Sequence, residues 1–554
     1  MTQLKYVLAP IVLGMALGGI PHAAAFAGVM RPVPGDPVRI DTGLVAGTLV
    51  GHGVKAYYGI PFAAPPVRQN RWRAPQPVKP WPGVYTADTK RPSCMQPMRA
   101  PDINHYFGAQ TLSEDCLYLN VWAPRNARPG ANLPVVVWIF GGAFVIGSAN
   151  MPAYGGEHLA RQGVVYVAAN YRVGVFGFLA LPQLSAESRH HTSGNWGLLD
   201  QIAALKWVQR NVRAFGGNPA NVTVIGQSAG SISINLLQAS PLTHGLFERA
   251  IGMSGSAVVD SAALETPSRP QAQAQGLKLM RAAHATRLAQ MRALAPDRLL
   301  AIAERAHIRV RPDVDGYVLP ESPRRIFDQG KEQHVPVLVG STANDLGTGI
   351  ALLRAGTPAQ YRNAAKRMFG PHVGEFLQAW PARSDTEVHR QALAVSRDSG
   401  MGLAAIAWAS LQARTGNAPA YLYLFDHAEP FAPGVSFSDL PDPAAAGAYH
   451  FSDVAYWLGT LNTYNLFRLT RDWQPADREL SREMQDVILT FAKTGSPDTP
   501  AVRFEPFAPG RPYRTILGER IRLQKLNAPG IALLLRHPPA WPRPPVTRKP
   551  KQMY

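Results

Sequence analysis

Cysteine is nearly absent from this chain, since Cys94 and Cys116 are the only two among its 554 residues. Two cysteines without a histidine cluster do not make a zinc site, and we expect neither a metal ion nor a cofactor. The pair leaves two alternatives, one disulfide in an exported protein or two buried free thiols, and we predict the disulfide. Internal repeats and low-complexity segments are not evident either.

Long apolar runs are absent beyond the first residues, so we predict no membrane span. Lys5 precedes an apolar run over residues 6–20, and small residues then offer cleavage sites after Ala25 or Ala27. This pattern predicts a signal peptide over residues 1–27 and a secreted or periplasmic protein. The alternative is a membrane anchor, for which the glycine-interrupted run is short.

Acidic residues are outnumbered, with 37 Asp and Glu against 56 Lys and Arg, which gives a formal net charge of +19. Such a charge would suit nucleic acid or an anionic surface. However, no basic stripe with interleaved aromatic residues is present, so we expect no nucleic-acid partner. Several of the charges lie in a proline-rich tail, residues 537–554, that we predict to be flexible. A solvated basic surface is predicted, with weak attachment to an anionic cell envelope as the alternative.

The stretch that is present and most informative is residues 221–230, NVTVIGQSAG. Val222, Val224 and Ile225 are β-branched and apolar, which is typical of a strand inside a sheet. The G-x-S-x-G pattern centred on Ser228 follows, and the next residues can form a helix. A serine on such a strand-to-helix turn presents its hydroxyl above the sheet as a nucleophile. The pattern alone is weak, and it needs an oxyanion loop upstream and an acid and a histidine downstream.

Other apolar runs predict a mostly parallel sheet with helices on both faces. The predicted elements are an N-terminal hairpin near residues 38–60, strands over 113–122, 134–139, 164–170, 335–340 and 421–425, a helix over 200–214 and a final helix near 480–493.

Several ordered motifs resemble the type-B carboxylesterase and cholinesterase-like family of α/β-hydrolases. They are YYGIPFAAPP, RWRAPQP, SEDCLYLNVWAP, PVVVWIFGGAFVIGS, NYRVGVFGFL, GNWGLLDQIAALKWVQRNVRAFGGNP, the Ser228 stretch and PDVDGYVLPESP. The resemblance covers roughly residues 30–530 and implies an α/β-hydrolase fold in one domain over residues 28–536. It also implies helical lid insertions near residues 256–330 and 350–440.

The resemblance further implies a catalytic triad and an oxyanion hole. The family usually has Glu as the acid, where this chain has Asp345, and a turn-forming Asn344–Asp345 pair with the acid elsewhere is the alternative. The family's third loop glycine is replaced by Ala143, whose methyl group would narrow the hole. The implied nucleophile, base and acid are Ser228, His450 and Asp345, and the implied backbone donors are those of Gly142, Ala143 and Ala229.

Other positions are implied to support the site or the fold. Ser254 matches a serine near the active site, and Gln227 and Asp453 stand where the family commonly has Glu. The pairs that match internal ion pairs of the family, and that we expect to be structural, are Arg71 with Glu114 and Arg172 with Asp200.

The predicted function is that of a serine carboxylesterase acting on a small-molecule ester through an acyl-enzyme. Choline esters are disfavoured, because Gln227 removes a charge and the loop between the cysteines offers Tyr106 and Phe107 but no Trp. Neutral short- to medium-chain or aromatic esters are therefore predicted. The alternatives are a non-catalytic cholinesterase-like binding protein and an amidase or peptidase that uses the same triad.

Overall fold

The structure is a computed structural model. This structure describes residues 32–98, 102–104, 111–259, 266–345, 351–415, 418–440 and 442–539. The predicted signal peptide, Tyr106, Phe107 and most of the predicted tail lie outside the described residues.

A large twisted sheet forms the centre of the described chain. Its eleven strands lie in the order β16-β15-β14-β13-β12-β11-β9-β10-β8-β4-β3. The strands are β1 (Val38–Ile40), β2 (Gly43–Ala46), β3 (Thr48–Val50), β4 (Val54–Pro61), β5 (Val84–Thr86), β6 (Ser93–Cys94), β7 (Leu112–Ser113), β8 (Tyr118–Ala123), β9 (Leu133–Ile139), β10 (Val165–Ala169), β11 (Gly217–Gln227), β12 (Arg249–Met253), β13 (Val337–Thr342), β14 (Ala420–Phe425), β15 (Tyr513–Leu517) and β16 (Arg522–Lys525).

The middle of this sheet is parallel, as predicted, and its margins are antiparallel. Strands β10, β9, β11, β12, β13, β14 and β15 pair in parallel with their neighbours. Strands β3, β4 and β8 at one margin and β16 at the other pair antiparallel. The central strands are buried along almost their whole length, because helices cover both faces, and this explains their continuous apolar sequences.

The helices alternate with the strands along most of the chain. They are α1 (Glu157–Arg161), α2 (Gly174–Phe178), α3 (Pro182–Glu187), α4 (Trp196–Asn211), α5 (Ala229–Ala239), α6 (Arg269–Ala282), α7 (Leu288–Ala293), α8 (Pro296–Arg305), α9 (Pro323–Asp328), α10 (Pro358–Phe369), α11 (Val373–Ala379), α12 (Asp385–Arg397), α13 (Gly400–Thr415), α14 (Val454–Leu458), α15 (Pro475–Thr494) and α16 (Ala528–Arg536). No helix in the described ranges has the length and apolar character that crossing a membrane requires.

Several element boundaries differ from the sequence predictions. The strand predicted over 113–122 begins at Tyr118, because residues 114–117 form an irregular segment between β7 and β8. The helix near 480–493 spans Pro475–Thr494 and is not the final one, since α16 follows it. The predicted N-terminal hairpin is two hairpins: β1 and β2 belong to a small sheet with β5, and β3 with β4 forms an edge of the large sheet.

The predicted helical insertion near residues 256–330 contains α6, α7, α8 and α9. Apolar side chains of α6, α7 and α8, such as Leu279 and Met291, form a separate cluster with Trp72 and with residues of α2, α3 and α4. Arg71 anchors the insertion, because its guanidinium donates to the carbonyl oxygen of Leu294 at 2.8 Å. The division of the chain into lid insertions stays a prediction.

Both ion pairs expected to be structural are confirmed. Arg71 contacts Glu114 at 2.6 Å and Arg172 contacts Asp200 at 2.7 Å, and all four side chains are at most 9% exposed. The carboxylate of Glu114 compensates the charge of Arg71, since an unpaired buried charge would be costly. The Arg71 guanidinium can therefore stay buried while it binds the insertion.

The predicted disulfide is confirmed. Cys94 and Cys116 are joined, with their Cα atoms 5.0 Å apart, and both residues are buried. The bridge closes a chain separation of 22 residues and ties β6 to the entry of β8.

We expect the double substitution Cys94→Ser, Cys116→Ser to lower the free energy of unfolding by about 3 kcal/mol, because the open chain regains loop entropy. Urea unfolding followed by circular dichroism measures the change. Reductant should lower the stability of the wild type by a similar amount and leave the double variant unchanged. A wild type that is indifferent to reductant would contradict the prediction.

Candidate active site

Ser228 lies on a sharp turn between β11 and α5. Its backbone angles are φ 56° and ψ −122°, a conformation that L-residues rarely adopt. The turn is tight enough that a Cβ atom added at Gly230 would lie 2.0 Å from the carbonyl oxygen of Ile139. The N–H of Ser228 donates to the carbonyl oxygen of Met253 at 2.7 Å. The predicted strand, serine and helix are therefore present, and glycine is required at Gly230 for space.

Asp345 lies three residues after β13 and is 6% exposed. One of its carboxylate oxygens accepts a hydrogen bond from the Ser254 hydroxyl at 2.6 Å and one from the Thr342 N–H at 3.3 Å. The other carboxylate oxygen lies 2.5 Å from Nδ1 of His450. The structure thus brings Asp345, Ser254 and His450 together, although Asp345 and His450 are 105 residues apart in the sequence.

His450 reaches Asp345 because its segment is attached beside β13. The Asn344 N–H donates to the carbonyl oxygen of Ala448 at 2.8 Å. Burial lowers the pKa of His450, but the Asp345 carboxylate, with a smaller contribution from Asp453, outweighs burial and raises that pKa above 6.5. The imidazolium is therefore favoured relative to a free histidine.

In the described structure, the other ring nitrogen of His450 is hydrogen-bonded to Gln227 and not to the serine hydroxyl. Nε2 of His450 lies 3.1 Å from the side-chain nitrogen of Gln227. Among the hydrogen bonds of the described residues, none joins the Ser228 hydroxyl to His450. Catalytic hydrogen bonds are often long without substrate, so this geometry is compatible with a serine–histidine pair.

Asp453 is fully buried behind the histidine. One carboxylate oxygen accepts a hydrogen bond from the Tyr423 hydroxyl at 2.9 Å. Burial raises the pKa of Asp453 to about 6, and the nearby Asp345 charge adds to the rise. Near the His450 ring, the ionised form of Asp453 is therefore disfavoured relative to that of a free aspartate.

The glycine-rich loop after β9 and the first turn of α5 present unpaired backbone N–H groups. Gly142 has φ 116° and Ala143 has φ 56°, so the loop turns through left-handed conformations. In the described part of the chain, no protein acceptor receives the N–H of Gly142, Ala143 or Ala229. Ala229 is buried, Gly142 is half-buried and Ala143 is exposed. Backbone N–H groups without a protein acceptor are suited to receive an incoming anionic oxygen.

A cavity of about 730 Å³ opens onto Ser228, Ala229 and Ala143. The sequence did not predict most of the cavity wall, because the residues that line the cavity come from six separate segments of the chain with no common spacing. The apolar lining residues are Met95, Pro97, Phe144, Val145, Val175, Phe176, Ile232, Leu300, Ala303, Ile308, Val310 and Met401. The predicted insertion contributes residues 300–311, whereas Met401 is the one described residue of 350–440 that lines this cavity.

A second feature that sequence reasoning missed is a buried polar cluster beside His450. Glu429 accepts hydrogen bonds from Arg471 at 2.6 Å and from the Tyr449 hydroxyl at 2.5 Å. Arg471 also donates to Asn104 at 2.6 Å. Tyr449 directly precedes His450, so the cluster fixes the chain that carries the ring. No sequence pattern links residues so far apart.

No group of three or more His, Cys, Asp or Glu residues that could hold a metal ion occurs among the residues described here.

Comparison with known proteins assigns the family. The model of the carboxylesterase family matches residues 35–519. The chain is 35% identical to the fumonisin B1 esterase of Sphingopyxis macrogoltabida over 80% of each chain. It is 33% identical to the para-nitrobenzyl esterase of Bacillus subtilis (strain 168), over 88% of this chain and 96% of that one.

A solved structure of a PNB esterase superposes on the chain with a TM-score of 0.71 at 32% identity, covering 90% of this chain and 97% of that one. The likeness extends over the parallel sheet and its flanking helices, so the predicted fold class is confirmed. The family match and the esterase relatives confirm the predicted carboxylic-ester hydrolase over the alternative of a non-catalytic binding protein. The chain belongs to the carboxylesterase family and is a carboxylic-ester hydrolase of the α/β-hydrolase fold.

Proposed function

We propose that this protein cleaves carboxylic esters with Ser228 as nucleophile, His450 as general base and Asp345 as the acid that orients the base. The observation that carries the proposal is the 2.5 Å contact between Asp345 and Nδ1 of His450, beside a cavity that opens on Ser228. This contact sets the tautomer, because the carboxylate accepts the Nδ1–H and leaves Nε2 free to take a proton.

The reaction proceeds in two halves. His450 removes the hydroxyl proton of Ser228 while the oxygen attacks the ester carbonyl, and the imidazolium then donates that proton to the leaving alcohol. A water molecule repeats the sequence on the acyl-enzyme and releases the carboxylic acid. The negative oxygen of each tetrahedral intermediate is held by the N–H groups of Gly142, Ala143 and Ala229.

The acyl group of the substrate is proposed to be neutral and either short to medium in length or aromatic. Apolar side chains such as Phe144, Phe176 and Ile232 dominate the cavity wall. A cavity of about 730 Å³ falls in the range typical of small-molecule sites. Gln227 supports the same choice, because the residue directly before the nucleophile carries a neutral carboxamide where the family commonly has a carboxylate that could attract a cationic substrate.

Export is proposed as well. The disulfide between Cys94 and Cys116 is compatible with an oxidising compartment. The charged start, apolar run and small residues of the first 27 positions support a cleaved signal peptide.

Ser228→Ala should abolish turnover. We expect kcat for p-nitrophenyl butyrate to fall by about 10⁴-fold or more, because the nucleophile acts as a unit with the histidine. The control is Ser410→Ala, a helical serine outside the cavity, which should leave kcat within about twofold. Equal turnover by Ser228→Ala and wild type would refute the assignment of the nucleophile.

The pH dependence of kcat/KM should report His450. The neutral ring is the base, so activity is lost as pH falls through its pKa, and the raised pKa places the midpoint above 6.5. Asp345→Asn removes the contribution that raises this pKa, so the midpoint should move to lower pH while kcat drops by about 10⁴-fold. Profiles of kcat/KM from about pH 5 to 9 test both statements. An unmoved midpoint would mean that Asp345 does not act on His450.

Ala303 on α8 lines the cavity and can be used to shorten it. We expect Ala303→Leu to lower kcat/KM for p-nitrophenyl octanoate relative to the acetate by about tenfold, since added methyl groups occupy the space of the longer chain. Ala301→Leu, on the same helix but outside the cavity lining, is the matched control. If the two variants showed the same chain-length preference, the acyl group would bind elsewhere.

A further inference from the structure

Gln227 is the last residue of β11 and directly precedes the nucleophile, and it is 2% exposed. Its side chain is confined on two sides. Its carboxamide nitrogen lies 3.1 Å from Nε2 of His450. Toward the glycine-rich loop, a Cβ atom added at Gly141 would lie 2.9 Å from the carboxamide oxygen, so the loop backbone packs directly against it. The carboxamide is therefore wedged between the base and the oxyanion loop.

The hydrogen bond between these two side chains has a defined direction. Nδ1 of His450 donates its proton to Asp345, so Nε2 of the neutral ring carries the free electron pair. The Gln227 amide group donates to that pair. It is the same electron pair that receives the proton of Ser228 in the reaction, and the described structure gives Ser228 no hydrogen bond to it.

We propose that Gln227 is a positioning residue that occupies Nε2 of His450 in the resting enzyme and gives it up to Ser228 when substrate binds. The inference rests on the proposed roles of Ser228 and His450. In this state the ring is held in its reactive tautomer and orientation, and the serine hydroxyl is kept from deprotonation until the cavity is filled.

A carboxamide suits this role better than a carboxylate. Its amino group donates to the neutral ring, and its oxygen accepts from the imidazolium after the amide turns over, so both protonation states find a partner. A carboxylate can only accept, and it would favour the imidazolium. The acidic groups that already face the ring in the described chain are Asp345, after β13, and Asp453, on the histidine's own segment.

The decisive variants are Gln227→Glu, which keeps the shape and adds a charge, and Gln227→Met, which keeps the length and removes the donor. Two readouts are needed. The first is the pH profile of kcat/KM for p-nitrophenyl butyrate. The second is the rate at which diethyl p-nitrophenyl phosphate inactivates the enzyme at the high-pH plateau, where the ring is neutral. Gln329→Met, an exposed position, controls for the chemistry of the substitution.

For Gln227→Glu we expect the midpoint of the acid limb to rise by about one pH unit or more, with activity recovered above the new midpoint. For Gln227→Met we expect the plateau inactivation rate to rise by about two- to tenfold, because Nε2 can then accept from Ser228 without first giving up a hydrogen bond to Gln227. If Gln227 had a merely structural role, its substitution would lower kcat/KM and the inactivation rate without moving the midpoint of the pH profile.

An unmoved midpoint in Gln227→Glu, or a plateau rate in Gln227→Met at or below the wild-type value, overturns the inference. If Gln227→Met does not fold, as judged by circular dichroism, the midpoint of Gln227→Glu decides alone. Ser228→Ala separates the proposed function from the role of Gln227. If that variant still turns over ester, the proposed function fails. If it is inactive, a failed Gln227 result contradicts only the positioning role of Gln227.

Discussion

The left-handed backbone of Ser228 is the constraint on which the site depends. A non-glycine residue at φ 56° and ψ −122° persists only where its surroundings hold it. Three contacts do so: β11 is buried between β9 and β12, the Ser228 N–H donates to Met253, and Gly230 packs against the carbonyl oxygen of Ile139. Among the described residues, the same turn leaves the N–H of Ala229 without an acceptor, so one local conformation presents both the proposed nucleophile and a proposed oxyanion donor.

The parallel register of the sheet assembles the rest. Neighbouring parallel strands end at the same edge, which is where ligands bind in open α/β sheets. The loop with Gly142 follows β9, Ser228 follows β11, Ser254 follows β12 and Asp345 follows β13. A single edge of the sheet therefore carries the proposed oxyanion loop, the proposed nucleophile, and the proposed acid with its hydrogen-bond donor. His450 comes from a longer segment after β14, and the buried cluster of Glu429, Arg471 and Tyr449 replaces a strand end as its support.

Local chemistry in the sequence was enough to predict the buried strands from their continuous β-branched runs. The ordered motifs, through their resemblance to the family, implied Ser228, Asp345 and His450, which the structure brings to one edge of the sheet. Features that depend on distant packing were not predictable. The polar strand β16 is placed at the sheet edge by antiparallel pairing with β15, and the contact of Gln227 with Nε2 of His450 depends on rotamers that no motif encodes. The sequence shows that Gln227 stands where the family commonly has Glu, but it does not show that the Gln227 side chain contacts His450.

The nucleophilic role proposed for Ser228 requires its oxygen to become covalently bound to the acyl or phosphoryl group of a substrate. The most direct measurement is peptide mapping by mass spectrometry of the enzyme after complete inactivation by diethyl p-nitrophenyl phosphate. We expect one diethylphosphoryl group per chain, on the peptide that contains Ser228. A stoichiometric label on any other residue, with Ser228 unmodified in the inactive enzyme, would contradict it.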